Sequence, residues 1–123
     1  MNKVILLVDD DSVFRGSVRD ILEFEGYEVI ETGDGKEALP VIETEHVDLL
    51  ITDILMPEVE GNELVSRTKK LRPDLKVIGM TGGGRIGSAE RVKRMCIPTL
   101  FETILSKPFL EEELIARVVT ALS

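Results

Sequence analysis

The sequence predicts an α/β fold: a doubly wound, five-stranded parallel sheet with helices on both faces. Short apolar runs alternate along the 123 residues with segments whose apolar side chains recur at helical spacing. The first run, Val4–Val8, is continuous rather than alternating, which is typical of a strand buried on both faces of a parallel sheet. Right-handed connections between such strands place helices on both sides of the sheet. We therefore expect one domain over residues 1–123.

Each strand is predicted from a short apolar run that polar or turn residues bound on either side. The predicted strands are residues 4–8, 27–30, 47–52, 76–80 and 103–106. A first helix follows the first strand, with Asp11 or Ser12 as its N-cap and Gly26 at its end. Its apolar positions are Phe14, Val18, Ile21, Leu22 and Phe24.

The later helices are predicted with less regular boundaries. Pro40 falls inside the second helical segment, where it removes a backbone hydrogen bond, so this helix should be kinked or should start late. A third helix follows Gly61, and a short one is predicted over residues 88–95. The last helix follows Pro108 and carries one apolar stripe, formed by Leu110, Leu114, Ile115, Val118, Val119 and Leu122.

Composition excludes several classes of function. Acids outnumber bases 23 to 15, and a net charge of −8 opposes direct binding to nucleic acid. No apolar run approaches the roughly 20 residues that a membrane-spanning helix needs, and the first residues do not form a signal peptide. Cys96 is the only cysteine, so no disulfide can form within the chain. These features predict a cytoplasmic domain that does not bind membranes.

The unusual polar residues follow the predicted strands. Asp9, Asp10 and Asp11 come after the first strand, and single polar residues follow the third, fourth and fifth: Asp53, Thr81 and Lys107. Ligands of open α/β sheets bind beyond the carboxyl ends of the strands. Carboxylates gathered there repel one another and favour a cation, and few hard oxygen ligands suit Mg²⁺, with Mn²⁺ as the alternative. A hydroxyl and a lysine opposite them can bind phosphoryl oxygens while a carboxylate attacks as the nucleophile.

Each of these residues also has a simpler interpretation. A single acid at a strand end is most often a helix cap, and Thr81 and Lys107 could be turn and surface residues. His46 lies in a polar turn and is expected to be solvated, and residues 111–113 form the acidic first turn of a helix. The order of acid pair, acid, hydroxyl and lysine, each after a different strand, favours the site.

The chain resembles the bacterial two-component receiver domain over nearly its whole length, and it is similar to the chemotaxis-type regulators. The matching segments are LVDDDS at 7–12, DLLITDILMP at 48–57 with Gly61, TG at 81–82 and KPF at 107–109. The resemblance implies a flavodoxin-like sheet with strand order 2-1-3-4-5. It implies that Asp53 is the phosphoacceptor and that Asp10 binds Mg²⁺ directly. Asp53 and the backbone carbonyl of Leu55 would be further ligands, and Asp9 would act mainly through water or as a secondary ligand.

The same resemblance assigns the remaining residues and the partners. Thr81 and Lys107 would bind the phosphoryl oxygens, and the peptide bond before Pro108 would be cis. The donor would be a phosphohistidine on a sensor histidine kinase or a histidine phosphotransferase, which docks against the first helix. A downstream protein or a second copy of the chain would bind the face formed by the last helices. The chain would be a stand-alone regulator or a receiver cut from a longer protein, a signalling switch rather than a turnover enzyme.

The sequence departs from the receiver pattern on the face that receivers use for output. Ile104 occupies the position where the family has a switching Tyr or Phe, and Leu100 and Phe101 replace a small pair. The Gly-rich stretch 82–87 is the expected extra loop. These differences predict that the larger rearrangement lies in residues 82–88 rather than at Ile104.

Two rival functions share parts of these motifs. Residues 9–13, DDDSV, match the nucleophile motif of haloacid-dehalogenase-type phosphatases, in which Asp9 would be phosphorylated and Asp11 would be the acid/base. That family needs a later acidic pair, for which only residues 111–113 are available. A flavodoxin-like nucleotide binder lacks support because no Gly-rich loop follows the first strand.

Overall fold

Five parallel strands form one sheet in the computed structural model, which describes residues 2–54, 61–82 and 100–123. The strand order is β2-β1-β3-β4-β5, so both the predicted fold class and the predicted order are confirmed. Within the described residues the strands are β1 (Val4–Val8), β2 (Glu28–Thr32), β3 (Leu49–Asp53), β4 (Lys76–Thr81) and β5 (Thr103–Ser106).

Helices follow β1, β2, β3 and β5 along the chain and cover both faces of the sheet. Those within the described residues are α1 (Ser12–Phe24), α2 (Gly35–Thr44), α3 (Gly61–Leu71) and α4 (Glu111–Leu122). The short helix predicted over residues 88–95 lies outside the described part of the chain. None of the described helices is both long enough and apolar enough to span a membrane.

Several strand boundaries differ from the prediction by one or two residues, because hydrogen bonds rather than hydropathy define them. The third strand begins at Leu49 instead of residue 47. Before it, the amide of Asp48 donates to the carbonyl of Val4, and the Asp48 carboxylate accepts from the Val4 amide. This side-chain bond replaces the first rung of the ladder. The second strand extends to Thr32, past its apolar run.

Helix α1 begins and ends as its capping residues predict. The carboxylate of Asp11 accepts hydrogen bonds from the amides of Val13 and Phe14, which makes Asp11 the N-cap rather than Ser12. Gly26 follows the helix with φ of 95°, a conformation that favours glycine. Phe24, one of the apolar positions of this helix, does not join the core, since it is 88% exposed.

Helix α2 runs through Pro40 without a late start. It begins at Gly35, directly after Asp34, whose carboxylate accepts a hydrogen bond from the Glu37 amide. This cap fixes the first turn, so the predicted late start is wrong. Proline removes only one amide from the helix, and the cap together with the buried Ala38 and Ile42 offsets that loss.

Alternate residues of the strands pack into two apolar clusters, one on each face of the sheet. On one face, Leu6 and Val8 contact residues of α2 and α3; on the other, Ile5 and Leu7 contact residues of α1 and α4. The stripe predicted for α4 is correct for Leu114 and Val118, which are fully buried. It is wrong for Leu110 and Val119, which are exposed to 73% and 49%.

Gly79 of β4 makes room for bulky side chains on one face of the sheet. A Cβ atom at this position would lie 2.7 Å from Cδ1 of Ile54 and 3.0 Å from Cε1 of Phe101. Both neighbours are buried, and Phe101 replaces a residue that the family pattern expects to be small. The glycine and the phenylalanine are therefore complementary.

Gly79→Ala should destabilise the protein by about 1–3 kcal/mol, because Ile54 and Phe101 must move in a packed core. Urea unfolding would measure the change. The matched control is Gly16→Ala in α1, where the nearest atom to the added methyl group is 4.0 Å away. That variant should gain about 0.5–1 kcal/mol. Equal effects of the two substitutions would contradict the close packing at Gly79.

Candidate functional site

The carboxyl ends of four adjacent strands meet at one edge of the sheet. Asp9 directly follows β1, Asp53 is the last residue of β3, Thr81 is the last residue of β4, and Lys107 follows β5. Because β1, β3, β4 and β5 are neighbours in that order, the chain brings these residues together at the predicted edge.

Three carboxylates form the acidic part of the site. One oxygen from each of Asp9, Asp10 and Asp53 lies within 4.8 Å of the others. Asp9 and Asp53 are buried, whereas Asp10 is exposed. Carboxylate oxygens at this separation, open to water on one side, fit a hexacoordinate Mg²⁺ that keeps several of its waters.

Lys107 supplies the positive charge among these acids. Its Nζ lies 2.8 Å from Oδ2 of Asp9 and 3.3 Å from Oδ2 of Asp53. Burial by itself lowers the pKa of Lys107, but the hydrogen bond to Asp9 and the charges of Asp53 and Asp9 outweigh it, so the pKa is raised. The lysine is therefore an ammonium ion at neutral pH and a direct partner of both buried carboxylates.

Thr81 contributes a hydroxyl group that has no hydrogen-bond partner within the described residues. Its side chain is fully buried, and Oγ1 accepts and donates nothing there. A buried hydroxyl without a partner is costly unless a ligand satisfies it. Its position beside the end of β3 suits a donor to an oxygen of a group attached to Asp53.

Comparison with known proteins identifies the family of the chain. The family model of the response regulator receiver domain matches residues 5–119. The chain belongs to this family. It is therefore a receiver domain of the kind found in the response regulators of two-component systems, a family of signalling switches.

Curated relatives of this receiver are longer than the chain. It is 37% identical over 118 residues to the response regulator MprA of Mycobacterium bovis, covering 96% of the chain and 50% of the relative. The MprA of Mycobacterium avium is 38% identical over 114 residues, which cover 93% of the chain and 48% of the relative. The chain thus spans about half the length of these proteins.

Solved structures resemble the receiver along its whole length. A CheY-like receiver domain protein from Methanospirillum hungatei has a TM-score of 0.88 and 34% identity, covering 99% of this chain and 94% of that one. A putative response regulator from Chloroflexus aurantiacus has a TM-score of 0.86 and 32% identity, covering 99% and 98%. The fold of the receiver is thus shared closely with both.

The backbone that carries Asp9 is held by a residue that the sequence interpretation missed. Arg15 Nη1 donates to the carbonyl of Asp9 at 2.5 Å, and its Nε pairs with Glu31 at 3.1 Å. Glu31 also pairs with Arg19, and these two arginines lower its pKa against the opposing effect of burial. Arg15 lies one helical turn after the cap Asp11, but no sequence signal pairs it with Glu31 of β2.

Other residues singled out from the sequence fall in different places. The carboxylate of Asp11 caps α1, which leaves it poorly suited to the acid/base role of the phosphatase interpretation. His46 is 74% exposed and contacts Asp48 at the amino ends of the strands, away from the site. The peptide bond between Lys107 and Pro108 is cis, as expected. Leu55 lies outside the described residues.

Ile104 is anchored rather than free. Its backbone is paired with Gly79 in the sheet, and its side chain packs, partly buried, against the apolar cluster that contains Phe101. This aliphatic side chain has neither the hydroxyl nor the ring of the switching Tyr or Phe that the family pattern has at the same position. Most of the expected Gly-rich loop, residues 83–87, lies outside the described residues.

Lys107→Met should destabilise the receiver by about 2–3 kcal/mol, because the buried Asp9 loses its cationic partner. Methionine is similar to lysine in length, so the substitution removes the charge and keeps most of the packing. Urea unfolding at neutral pH without divalent ions would measure the loss. Lys70→Met, at an exposed lysine of α3, is the control and should change stability by less than about 0.5 kcal/mol. If both variants lose the same amount, the Lys107 pairs do not support the fold.

Proposed function

We propose that this receiver takes a phosphoryl group onto Asp53 in a Mg²⁺-dependent reaction. The observation that carries the proposal is the contact of one ammonium group with two buried carboxylates, Asp9 and Asp53, at the carboxyl edge of the sheet. Such a cation neutralises negative charge at the point where a phosphoryl group adds more. Asp53 is the acid at the end of β3, a strand with neighbours on both sides.

The transfer exchanges one bond to phosphorus for another. A carboxylate oxygen of Asp53 forms the new bond while the phosphorus–nitrogen bond of a donor phosphohistidine breaks, and the electron pair of that bond leaves with the imidazole nitrogen. Response regulators are phosphorylated by histidine kinases. For this chain we propose a sensor histidine kinase or a histidine phosphotransferase as the donor. The product is an acyl phosphate on Asp53.

Lys107 and Thr81 bind the transferred group. The ammonium of Lys107, now shared by Asp9 and Asp53, moves its second contact from the carboxylate to a phosphoryl oxygen. The unpaired hydroxyl of Thr81 donates to another of these oxygens, which satisfies a buried polar group that lacks a partner among the described residues. These two donors match the charge that develops during transfer.

Asp9, Asp10 and Asp53 are the residues that would hold Mg²⁺, or Mn²⁺ in its place, and the backbone carbonyl of Leu55 is the further ligand that the family pattern adds. The ion supplies Lewis-acid stabilisation of charge on the phosphoryl oxygens. Of these residues, Asp10 is exposed to solvent, whereas Asp9 is buried and pairs with Lys107.

The phosphorylated receiver then presents a changed surface, which makes it a switch rather than a turnover enzyme. Because Ile104 packs, partly buried, against an apolar cluster, we propose that the change passes through the residues after Thr81. The partner would be a downstream protein or a second copy of the chain, bound at the face formed by the last helices. We also propose that the domain acts on other proteins in the cytoplasm; its net charge of −8 opposes binding to nucleic acid.

Millimolar Mg²⁺ should raise the melting temperature by about 3–6 °C relative to EDTA, because the ion binds the folded carboxylate cluster and not the unfolded chain. Differential scanning calorimetry would measure it. Asp10→Ala should remove the effect. Glu43→Ala, at an exposed acid of α2, should keep it. A wild-type protein with the same melting temperature in EDTA and in Mg²⁺ would show that these acids do not form the metal site.

Incubation with acetyl phosphate and Mg²⁺ should add about 80 Da, the mass of one phosphoryl group, to the wild-type chain. Asp53→Asn should abolish the adduct, because the amide lacks the charge needed for attack. Asp9→Asn should slow its formation without moving it. Asp74→Asn, at an exposed surface acid, is the control and should label as the wild type does.

Borohydride trapping and peptide mapping would locate the modified residue. A modified Asp53 supports the receiver function. A modified Asp9, or an Asp53→Asn protein that labels at the wild-type rate, would assign the chemistry to the phosphatase alternative instead.

A further inference from the structure

One aromatic ring lies over the functional lysine. Nζ of Lys107 is 4.2 Å from the centroid of the Phe14 ring, on its face. Phe14 belongs to the first turn of α1, and 93 positions of the sequence separate the two residues. Its side chain is partly buried against the apolar cluster shared by α1 and α4. A cation at this distance over a ring face is attracted by the electrons of the ring.

Two further contacts fix the ring in place. Phe109, two residues after Lys107, meets Phe14 edge to face, with the centroids 5.8 Å apart and the planes at 81°. The backbone of Phe14 is held by the cap, since its amide donates to the carboxylate of Asp11 at 3.1 Å. The ring is thus held from the helix and from the loop that follows Lys107.

Among residues 2–54, 61–82 and 100–123, three neighbours of the ammonium differ in chemical character. Asp9 and Asp53 accept its hydrogen bonds, at 2.8 and 3.3 Å, and the face of Phe14 covers another side. An ammonium ion has three N–H donors and no acceptor. The Phe14 ring has no oxygen or nitrogen that would accept a hydrogen bond, so it leaves these donors for the oxygens of the site. The ring also excludes water from that side.

We propose that Phe14 is a positioning residue that holds the Lys107 ammonium against Asp9 and Asp53. The role rests on the function proposed above, because the position of Lys107 affects phosphoryl transfer only if Asp53 is the acceptor. Without the ring, the flexible lysine stem has more conformations and its charge is better hydrated. Fewer molecules then present the ammonium to the phosphoryl group.

A second phenylalanine of the same helix provides the matched control. Phe24 is 88% exposed at the other end of α1 and is far from Lys107 in the fold. Phe24→Leu removes the same atoms as Phe14→Leu without touching the site. Phe14→Tyr keeps the ring and the apolar contacts, so it tests whether the aromatic face is what matters.

Proton–carbon NMR of lysine-labelled protein reads the contact directly. The ε-methylene protons of Lys107, assigned with Lys107→Arg, should be shifted upfield by the Phe14 ring. Phe14→Leu should return them to the ordinary lysine position, whereas Phe24→Leu should leave them shifted. A wild-type Lys107 signal at the ordinary position would overturn the proposal, and this reading needs no variant at Phe14 to fold.

Labelling rates with acetyl phosphate and Mg²⁺ test the role in transfer. Phe14→Leu should slow labelling about three- to tenfold, Phe14→Tyr should restore it, and Phe24→Leu should leave it unchanged. In a Lys107→Ala background, Phe14→Leu should cause no further loss. An equal loss in both backgrounds would show that Phe14 does not act through Lys107 and would overturn the proposal.

The two proposals fail in different ways. If Asp53→Asn still labels at the wild-type rate, the function proposed for Asp53 is wrong, while the NMR shift of Lys107 still reports on the ring. If Asp53 is the acceptor but neither the shift nor the rate depends on Phe14, only the positioning role is wrong. Should Phe14→Leu fail to fold, Phe109→Leu replaces it, with a reduced upfield shift expected as the ring loosens.

Discussion

A single ammonium group balances two buried carboxylates at the carboxyl edge of the sheet, and the rest of the site is arranged around that balance. Asp9 is completely buried, and a buried charge is tolerated only when it is paired. Its partner Lys107 is 98 positions away, and Asp53 is 54 positions from the lysine. The pairing therefore exists only in the folded sheet. Arg15 donates to the backbone carbonyl of Asp9, and the Phe14 ring lies against the ammonium of Lys107, so each partner of the ion pair has a further contact that positions it.

The sheet keeps this edge fixed because both of its faces are filled. Alternate residues of the central strands enter opposite apolar clusters, so a shift of one residue in register would send each side chain to the wrong cluster and move Asp53 away from Lys107. On one face, Gly79 admits Phe101, and Ile104 packs against the same cluster. On this face the family pattern has small residues in place of Leu100 and Phe101, and a switching ring in place of Ile104. The residues after Thr81 are therefore the proposed route of the signal.

Much of the fold and most of the site could be predicted from the sequence because both follow from local patterns. Apolar runs define parallel strands, and strand ends place Asp53, Thr81 and Lys107 at one edge. What could not be predicted depends on contacts between distant residues. The Arg15–Glu31 pair joins α1 to β2, and the exposure of Phe24 depends on where the core ends rather than on helical spacing. The role of Leu55 is still a prediction.

A crystal structure of the protein with Mg²⁺ and beryllofluoride, a mimic of the phosphoryl group, tests the central claim most directly. Our account predicts beryllium bonded to a carboxylate oxygen of Asp53. It also predicts Nζ of Lys107 and Oγ1 of Thr81 on the fluorines, and Mg²⁺ on the oxygens of Asp10 and Asp53. Beryllofluoride bonded to Asp9, or a site in which Lys107 keeps both carboxylates and contacts no fluorine, would contradict it.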